Sequence, residues 1–285
     1  MAVDNDTALA GGRALETILS VPTEIIGGVR VAALSRRQTA RLMIDMALGA
    51  RGGGVPPVIC SSVNGQVLSE LGRAHDPTGS AALMREVCLV SADGQSLVFA
   101  SRLLGMGGLR ERCATTDLFH DIADIAVAER LSFYLLGATA DENRKAVENV
   151  RRRYPELSIV GHRSGYFDSI EDERLAVEQI NDLNPDIVWV ALGFPRELEF
   201  CIRWRHALTN VGVLKTSGGL FNFLSGARRR APAWMQFAGL EWAYRTYLEP
   251  RRLFVRYATT NLHAAWLLMT KTERRREARS ALTGG

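Results

Sequence analysis

What this 285-residue chain lacks narrows it first. Its 4 cysteines, Cys60, Cys88, Cys113 and Cys201, are scattered and form no CxxC pair. That spacing argues against a disulfide framework and against the usual zinc sites, and leaves free thiols in a reducing compartment. No basic segment followed by an apolar run opens the chain, so no signal peptide is expected. The longest apolar stretch near the end, Ala264–Met269, is far too short to span a bilayer. GxGxxG is absent, and so is the spaced DxD that commonly holds a metal–nucleotide complex; Glu171-Asp172-Glu173 reads instead as a charged helix start. No zinc-finger spacing, RNA-binding aromatic signature or internal repeat is present. The expectation is a cytoplasmic protein with at most peripheral membrane attachment, no metal and no cofactor.

What is present begins with a 47% apolar composition, enough for one large domain or two small ones. The net charge of +4 hides an asymmetry: from Gly226 onward the balance is +8, and before it −4. The basic character is sharpest in Gly226–Tyr257, where Trp234, Trp242, Tyr244, Tyr247 and Tyr257 are interleaved with seven arginines and opposed only by Glu241 and Glu249. Guanidinium groups recognise phosphate through paired hydrogen bonds, and aromatic rings favour a water–lipid boundary. The stretch therefore points to a phosphate-bearing partner at an anionic membrane surface; a solvated basic helix pair packed on a core is the alternative. Pro232 suits a first helical turn, Phe237, Leu240, Tyr244 and Tyr247 recur at helical spacing, and Glu249-Pro250 should break that helix and start another.

Upstream, strands and helices alternate from Val29 to about Leu214, which predicts a mostly parallel sheet covered by helices. Ser35 and Gln38 form a capping box for a helix over 39–48. Strands are expected at Val29–Ala33, Val58–Asn64, from Cys88, at Ser132–Gly137, Ser158–Gly161, Ile187–Leu192 and Val211–Leu214. Thr116 or Asp117 is expected to cap the helix Leu118–Arg130, and Ser217–Gly226 reads as a glycine-rich loop. In open α/β sheets ligands sit beyond the carboxyl ends of the strands, which makes Ser62 and Asn64 candidate contacts; Asn64 as a helix cap is the competing reading. Asp93-Gly94 follows another short strand. Its carboxylate can be a general base or, on spacing alone, a helix N-cap. His120 has no evident partner and reads as a packed or surface histidine.

Together these pieces resemble the WecG/TagA/CpsF-type family of bacterial glycosyltransferases (glycosyltransferase family 26) over about Ile25 to Tyr257. The residues that carry the resemblance are Asn64, Ala92-Asp93-Gly94, Leu135-Leu136-Gly137, Tyr154-Pro155, Gly161 with Gly165-Tyr166, Pro185-Asp186, Gly193 with Pro195, Arg230-Ala231-Pro232, Gly239-Leu240-Glu241-Trp242, Tyr244-Arg245, Glu249-Pro250 and Arg256-Tyr257. Their order and spacing are specific as a set. The resemblance implies transfer of a sugar from a UDP-sugar to a polyprenyl-diphosphate-linked saccharide, in bacterial surface or exopolysaccharide synthesis, with inversion and without an obligatory metal. It implies Asp93 as the base and Arg230, Arg245, Arg252 and Arg256 as the grip on the acceptor's diphosphate. Donor contacts are expected from Ser62, Asn64, Gly94, Gly137, Gly161, Tyr166, Gly193, Pro195, Glu197 and Asn222. Backbone amides near Gly137 and Gly193, helped by Arg196, would stabilise the leaving UDP.

The chain departs from the family at three of these places. Glu197-Leu198-Glu199 stands where a Gln-Glu pair is common, Asn222 where aspartate is common, and Ser62 where threonine is. Glucose, glucuronate and N-acetylmannosamine thus all remain open as the donor sugar. The expected organisation is a loosely ordered segment 1–24, an α/β Rossmann-like core 25–225 and a basic, aromatic, membrane-associating helical appendage 226–285. The expected location is peripheral, on the cytoplasmic face of the plasma membrane, with homo-oligomerisation open. Two rivals are a non-catalytic nucleotide-binding protein that keeps the fold, and a nucleic-acid-binding protein that uses the basic tail.

Overall fold

Side chains alternate across a β-strand, and two central strands show what that alternation builds. Along β5 (Ser132–Gly137), Phe133 and Leu135 enter one core layer while Tyr134 and Leu136 enter the opposite one. Along β7 (Ile187–Ala191), Ile187 and Trp189 join the first layer and Val188 and Val190 the second. Strands apolar on both faces must be covered on both, as in a parallel α/β sheet. The computed structural model describes residues 17–273 apart from 53, 74, 77 and 106, and omits the side chains of Arg252 and Arg256.

The remaining strands are β1 (Thr23–Ile26), β2 (Val29–Ala32), β3 (Val58–Val63), β4 (Leu89–Ala92), β6 (Ser158–Arg163) and β8 (Val213–Thr216). Six of the eight form one sheet in the order β4-β3-β8-β7-β5-β6, with every neighbouring pair parallel. β1 and β2 form a separate antiparallel hairpin. Its turn is Gly27-Gly28, both at positive φ (60° and 87°), the backbone a two-residue hairpin loop requires.

One face of the sheet is covered by α1 (Arg36–Gly49) and α5 (Thr115–Glu129), where Phe119 packs edge-on against Trp189 at 4.7 Å between ring centroids. The expected capping box at Ser35 and Gln38 is present. α6 (Ala140–Arg153) and α9 (Leu220–Leu224) pack on the same side. The other face carries α7 (Ile170–Leu183) and α8 (Arg196–Trp204). A third apolar cluster joins the hairpin, α2 (Gly65–Leu71), α3 (Ser80–Arg85) and α4 (Gln95–Leu103) to α12 (Pro250–Lys271).

The C-terminal half of α12 is built into this cluster through Ala264, Leu267 and Leu268. Its end is tied to the hairpin: Gly28 N donates to Lys271 O at 2.8 Å, and Glu273 N to Ile25 O at 3.0 Å. Two short helices, α10 (Ala233–Phe237) and α11 (Glu241–Leu248), precede it.

Several local expectations are corrected. The helix expected to run through Phe237 and Leu240 is broken at Gly239, which has φ 74°. α5 begins at Thr115 with Ala114 as N-cap, so Thr116 and Asp117 lie inside its first turn. β8 is Val213–Thr216 rather than Val211–Leu214, and the glycine-rich loop contains α9. Segment 1–24 lies outside the described residues as far as 16, and residues 23 and 24 already belong to β1.

Candidate active site

Parallel pairing gathers the C-terminal ends of β4, β3, β8 and β7 along one edge of the sheet, and there the chain forms a cavity of about 580 Å³. It is lined by residues that end or follow these strands: Ser62 and Asn64, Asp93 and Gly94, Thr216 to Gly219, and Gly193 with Glu197. Arg112 and Thr115 also line it, as do α11 and α12 through Trp242, Arg245, Tyr257 and Asn261.

Asp93 does not cap the helix that follows it. Gly94 is the N-cap of α4, and no side chain bonds that helix end. Instead Asp93 Oδ2 accepts from both the backbone N (3.2 Å) and Oγ1 (2.8 Å) of Thr115, at the start of α5. Both bonds fall on the same oxygen, and Asp93 is among the residues that line the cavity. Burial raises the Asp93 carboxyl above the usual aspartate range, against the pull of Arg112, of Thr115 and of Lys215. An aspartate so placed is a stronger proton acceptor than an exposed one.

Next to Thr216 lies a fully buried lysine. Lys215 Nζ donates to Ser62 Oγ at 2.7 Å and to Thr216 O at 2.9 Å. Burial lowers its pKa. It also pushes Cys60 up to about 12 and Cys113 to about 11, so at neutral pH neither thiol offers Lys215 a counter-charge; the carboxyl groups that act on it are Asp93 and Glu197. Glu197, in the first turn of α8, accepts from Gly218 N at 2.8 Å. Burial raises it to about 7, with the Gly218 amide and Lys215 acting in the opposite sense.

Among the described residues, the cations that line the cavity are Arg112, Arg228, Arg230 and Arg245. Arg112 donates to Glu241 (2.8 Å) and to Gln236 (3.2 Å), and Arg230 to the same Gln236 oxygen (2.5 Å) and to Asp117. These bonds tie α10 and α11 to the sheet domain at the cavity mouth. Arg245 lies over the Phe223 ring, 5.8 Å from its centroid.

Of the residues expected from the sequence, Ser62, Asn64, Asp93, Gly94, Gly193, Glu197, Arg230 and Arg245 line this one cavity. Asn64 is at the same time the N-cap of α2, its Oδ1 accepting from Gln66 N and Val67 N. Gly137, Gly161, Tyr166, Pro195, Arg196 and Asn222 are not among the lining residues.

Gly137 ends β5 and Gly161 lies inside β6, on the far side of the sheet order, and their lack of a side chain has a packing cause. A Cβ on Gly137 would sit 2.3 Å from Ala191 O, and one on Gly161 2.6 Å from the Tyr134 ring. Tyr166 is 70% exposed. Asn222 Nδ2 donates to Glu142 at 2.7 Å. The side chains of Arg252 and Arg256 lie outside the described residues. Sequence reasoning missed Arg112, Thr115 and Lys215. A lysine inside the apolar run before Thr216 was the available signal for the last.

Comparison with known proteins gives a consistent result. The model of the glycosyl transferase WecG/TagA/CpsF family matches residues 24–278. An N-acetylglucosaminyldiphosphoundecaprenol N-acetyl-beta-D-mannosaminyltransferase of Bacillus subtilis is 36% identical over 163 residues, 56% of this chain and 60% of the relative. Proteins of the same name from Bacillus spizizenii and Staphylococcus aureus (strain MRSA252) are 32% and 30% identical over 171 residues, 60% of this chain and 65% of each. The chain thus spans under two thirds of the length of these relatives.

Proposed function

Since the chain belongs to the WecG/TagA/CpsF family of glycosyl transferases, we propose that it transfers a sugar from a UDP-sugar to a hydroxyl of a polyprenyl-diphosphate-linked saccharide, by a single inverting displacement that requires no metal. The relatives' names specify an undecaprenyl-diphosphate-linked acceptor for those proteins, and the cavity suits a like one here. The observation that carries the reading is the state of Asp93. Its Oδ2 is fixed by Thr115, and it lines a cavity to which, among the described residues, Arg112, Arg228, Arg230 and Arg245 also contribute.

In the reaction, Oδ1 takes the proton of the acceptor hydroxyl as that oxygen bonds to the anomeric carbon. The bond from that carbon to the UDP oxygen breaks, and the electron pair leaves with UDP. The two diphosphates bring negative charge that Arg112, Arg228, Arg230 and Arg245 can meet at close range. Amides near Gly193 serve the leaving group; Gly137, away from the cavity, does not. Asn222 bonds Glu142, so its difference from the family's usual aspartate acts at most indirectly on the donor. Glu197 lines the cavity and is the departure that bears on donor choice.

Attachment to the membrane is peripheral in this reading. No helix among the described residues is long and apolar enough to cross a membrane. Trp234, Phe237, Tyr247 and Phe254, on α10, α11 and α12, are 65%, 80%, 82% and 65% exposed, and Arg229, in the loop before α10, and Arg251, on α12, are exposed too. Exposed rings and guanidinium groups on these neighbouring elements suit a lipid headgroup layer.

The test is to incubate the protein, with and without EDTA, with a panel of UDP-sugars and a short-chain polyprenyl-diphosphate-linked acceptor and to weigh the products. One UDP-sugar should add one sugar mass, with EDTA making no difference. UDP-sugar binding without any product would favour a non-catalytic nucleotide-binding protein.

A further inference from the structure

We propose that Lys215 is a positioning residue for the transfer: from its buried position it orients a chain of hydroxyls, Ser62 then Thr115, that holds Oδ2 of Asp93 and keeps Oδ1 turned to the acceptor. The proposal rests on the reading of Asp93 as the base.

It follows from counting protons. An amine that donates at 2.7 Å makes Ser62 Oγ an acceptor on that side. The single Ser62 proton then goes onward, and two oxygens are in reach: Ser91 Oγ at 3.0 Å and Thr115 Oγ1 at 3.1 Å. Thr115 Oγ1 also has one proton, and its shorter contact, at 2.8 Å, is to the carboxylate, which can only accept. With Thr115 donating to Asp93, its lone pair is free for the Ser62 proton. Ser91 Oγ can give its own proton to Ser61 O at 3.3 Å and so accept as well; in the proposed chain the Ser62 proton takes the Thr115 branch, and the order is Lys215 to Ser62 to Thr115 to Asp93.

Burial makes this arrangement costly unless it is used or compensated. A fully buried lysine is rare, and here it donates to a hydroxyl and a backbone carbonyl. The residues that act on its charge come from four places: Cys60 on β3, Cys113 before α5, Glu197 on α8 and Asp93 after β4. Those that act on Asp93 are Arg112, Thr115 and Lys215. Replacing Lys215 by an apolar residue frees the Ser62 proton to point elsewhere, lets Thr115 donate to Ser62, and removes one cation that lowers the Asp93 pKa.

The experiment uses the full chain with the UDP-sugar and acceptor that give product. Lys215→Met should lower kcat by about tenfold to a hundredfold, as loss of orientation does, with donor KM little changed. The acid limb of the kcat–pH profile should move to higher pH. Glu197 titrates nearby, so the shift is read again in a Glu197→Gln background, where that carboxyl no longer contributes. Ser62→Ala should change kcat in the same direction, and adding it to Lys215→Met should cost nothing further.

A folded Lys215→Met with normal kcat and an unmoved acid limb overturns the proposal. If Lys215→Met fails to fold, Ser62→Ala decides: normal kcat and an unmoved limb overturn it equally. Asp93→Asn run alongside separates the two levels. If it is inactive while Lys215→Met is normal, only the role of Lys215 falls; if it turns over normally, Asp93 falls as base and Lys215 with it.

Discussion

Glu197→Gln should make the protein more stable, and increasingly so as pH rises. Glu197 is 5% exposed, and burial lifts its pKa from 4.5 to about 7. A carboxyl whose pKa is raised on folding binds its proton more tightly in the folded chain. Its contribution is therefore fully present below pH 4.5 and is lost as pH rises through about 7. The full difference corresponds to about 3 kcal/mol.

Glutamine keeps an acceptor oxygen for Gly218 N, bonded at 2.8 Å, and never ionises. Against this, Lys215 loses a counter-charge and the new amide hydrogens need acceptors. The expected net gain at pH 8 is about 1–2 kcal/mol, roughly 2–8 °C in Tm for a chain of this size. At pH 5, where Glu197 is already protonated, the two proteins should differ little. Urea unfolding of both at pH 5, 6, 7 and 8 gives the difference directly and cancels the titration of every other carboxylate. A difference constant across that range, or one that widens toward low pH, would refute the placement of Glu197 as a raised, buried acid beside Lys215.

Two further outcomes follow from the packing. Gly137→Ala should destabilise by about 1–3 kcal/mol or more, because Gly137 has φ 140° and a Cβ would meet Ala191 O at 2.3 Å; urea unfolding measures it, and unchanged stability would mean that β5 and β7 can separate at that end. Replacing Trp234, Phe237 and Tyr247 together by serine should weaken binding to anionic vesicles in a sedimentation assay while leaving the fold intact by circular dichroism, since all three side chains are mostly exposed; undiminished sedimentation would remove these rings as the attachment surface.

Much of the fold was legible in the sequence where a local signal fixed an element. β5 coincides with Ser132–Gly137 because an apolar run ends at a glycine. α1 was legible from its capping box and α12 from Glu249-Pro250. β8 was misplaced because Lys215 and Thr216 look like a strand's polar end, yet both are buried in a network whose partners lie about 150 residues away in Ser62 and Ser61. β1 went unseen because a four-residue strand with a glutamate in it has a weak pattern. Glu24 is buried by accepting from Ser101 (2.5 Å) and Gly108 (2.6 Å), bonds that no spacing reveals.

The site divides along the same line. Asp93 was legible as a strand-end carboxylate, but whether it capped its own helix or faced a ligand depended on Thr115, 22 residues on. Gly137 also stands at the C-terminal end of a strand, and Gly161 two residues short of one. What separates them from the cavity is the sheet order, in which β8, last in the chain, is inserted between β3 and β7. Nothing local records that insertion.

Rapid-quench single-turnover transfer by Asp93→Asn, with UDP binding measured in parallel by calorimetry, tests the central claim most directly. The amide cannot take the acceptor's proton through Oδ1, so transfer should slow by about 10²–10⁴-fold while UDP binds as in the unaltered protein. Transfer at the unaltered rate would contradict the assignment of Asp93 as the base.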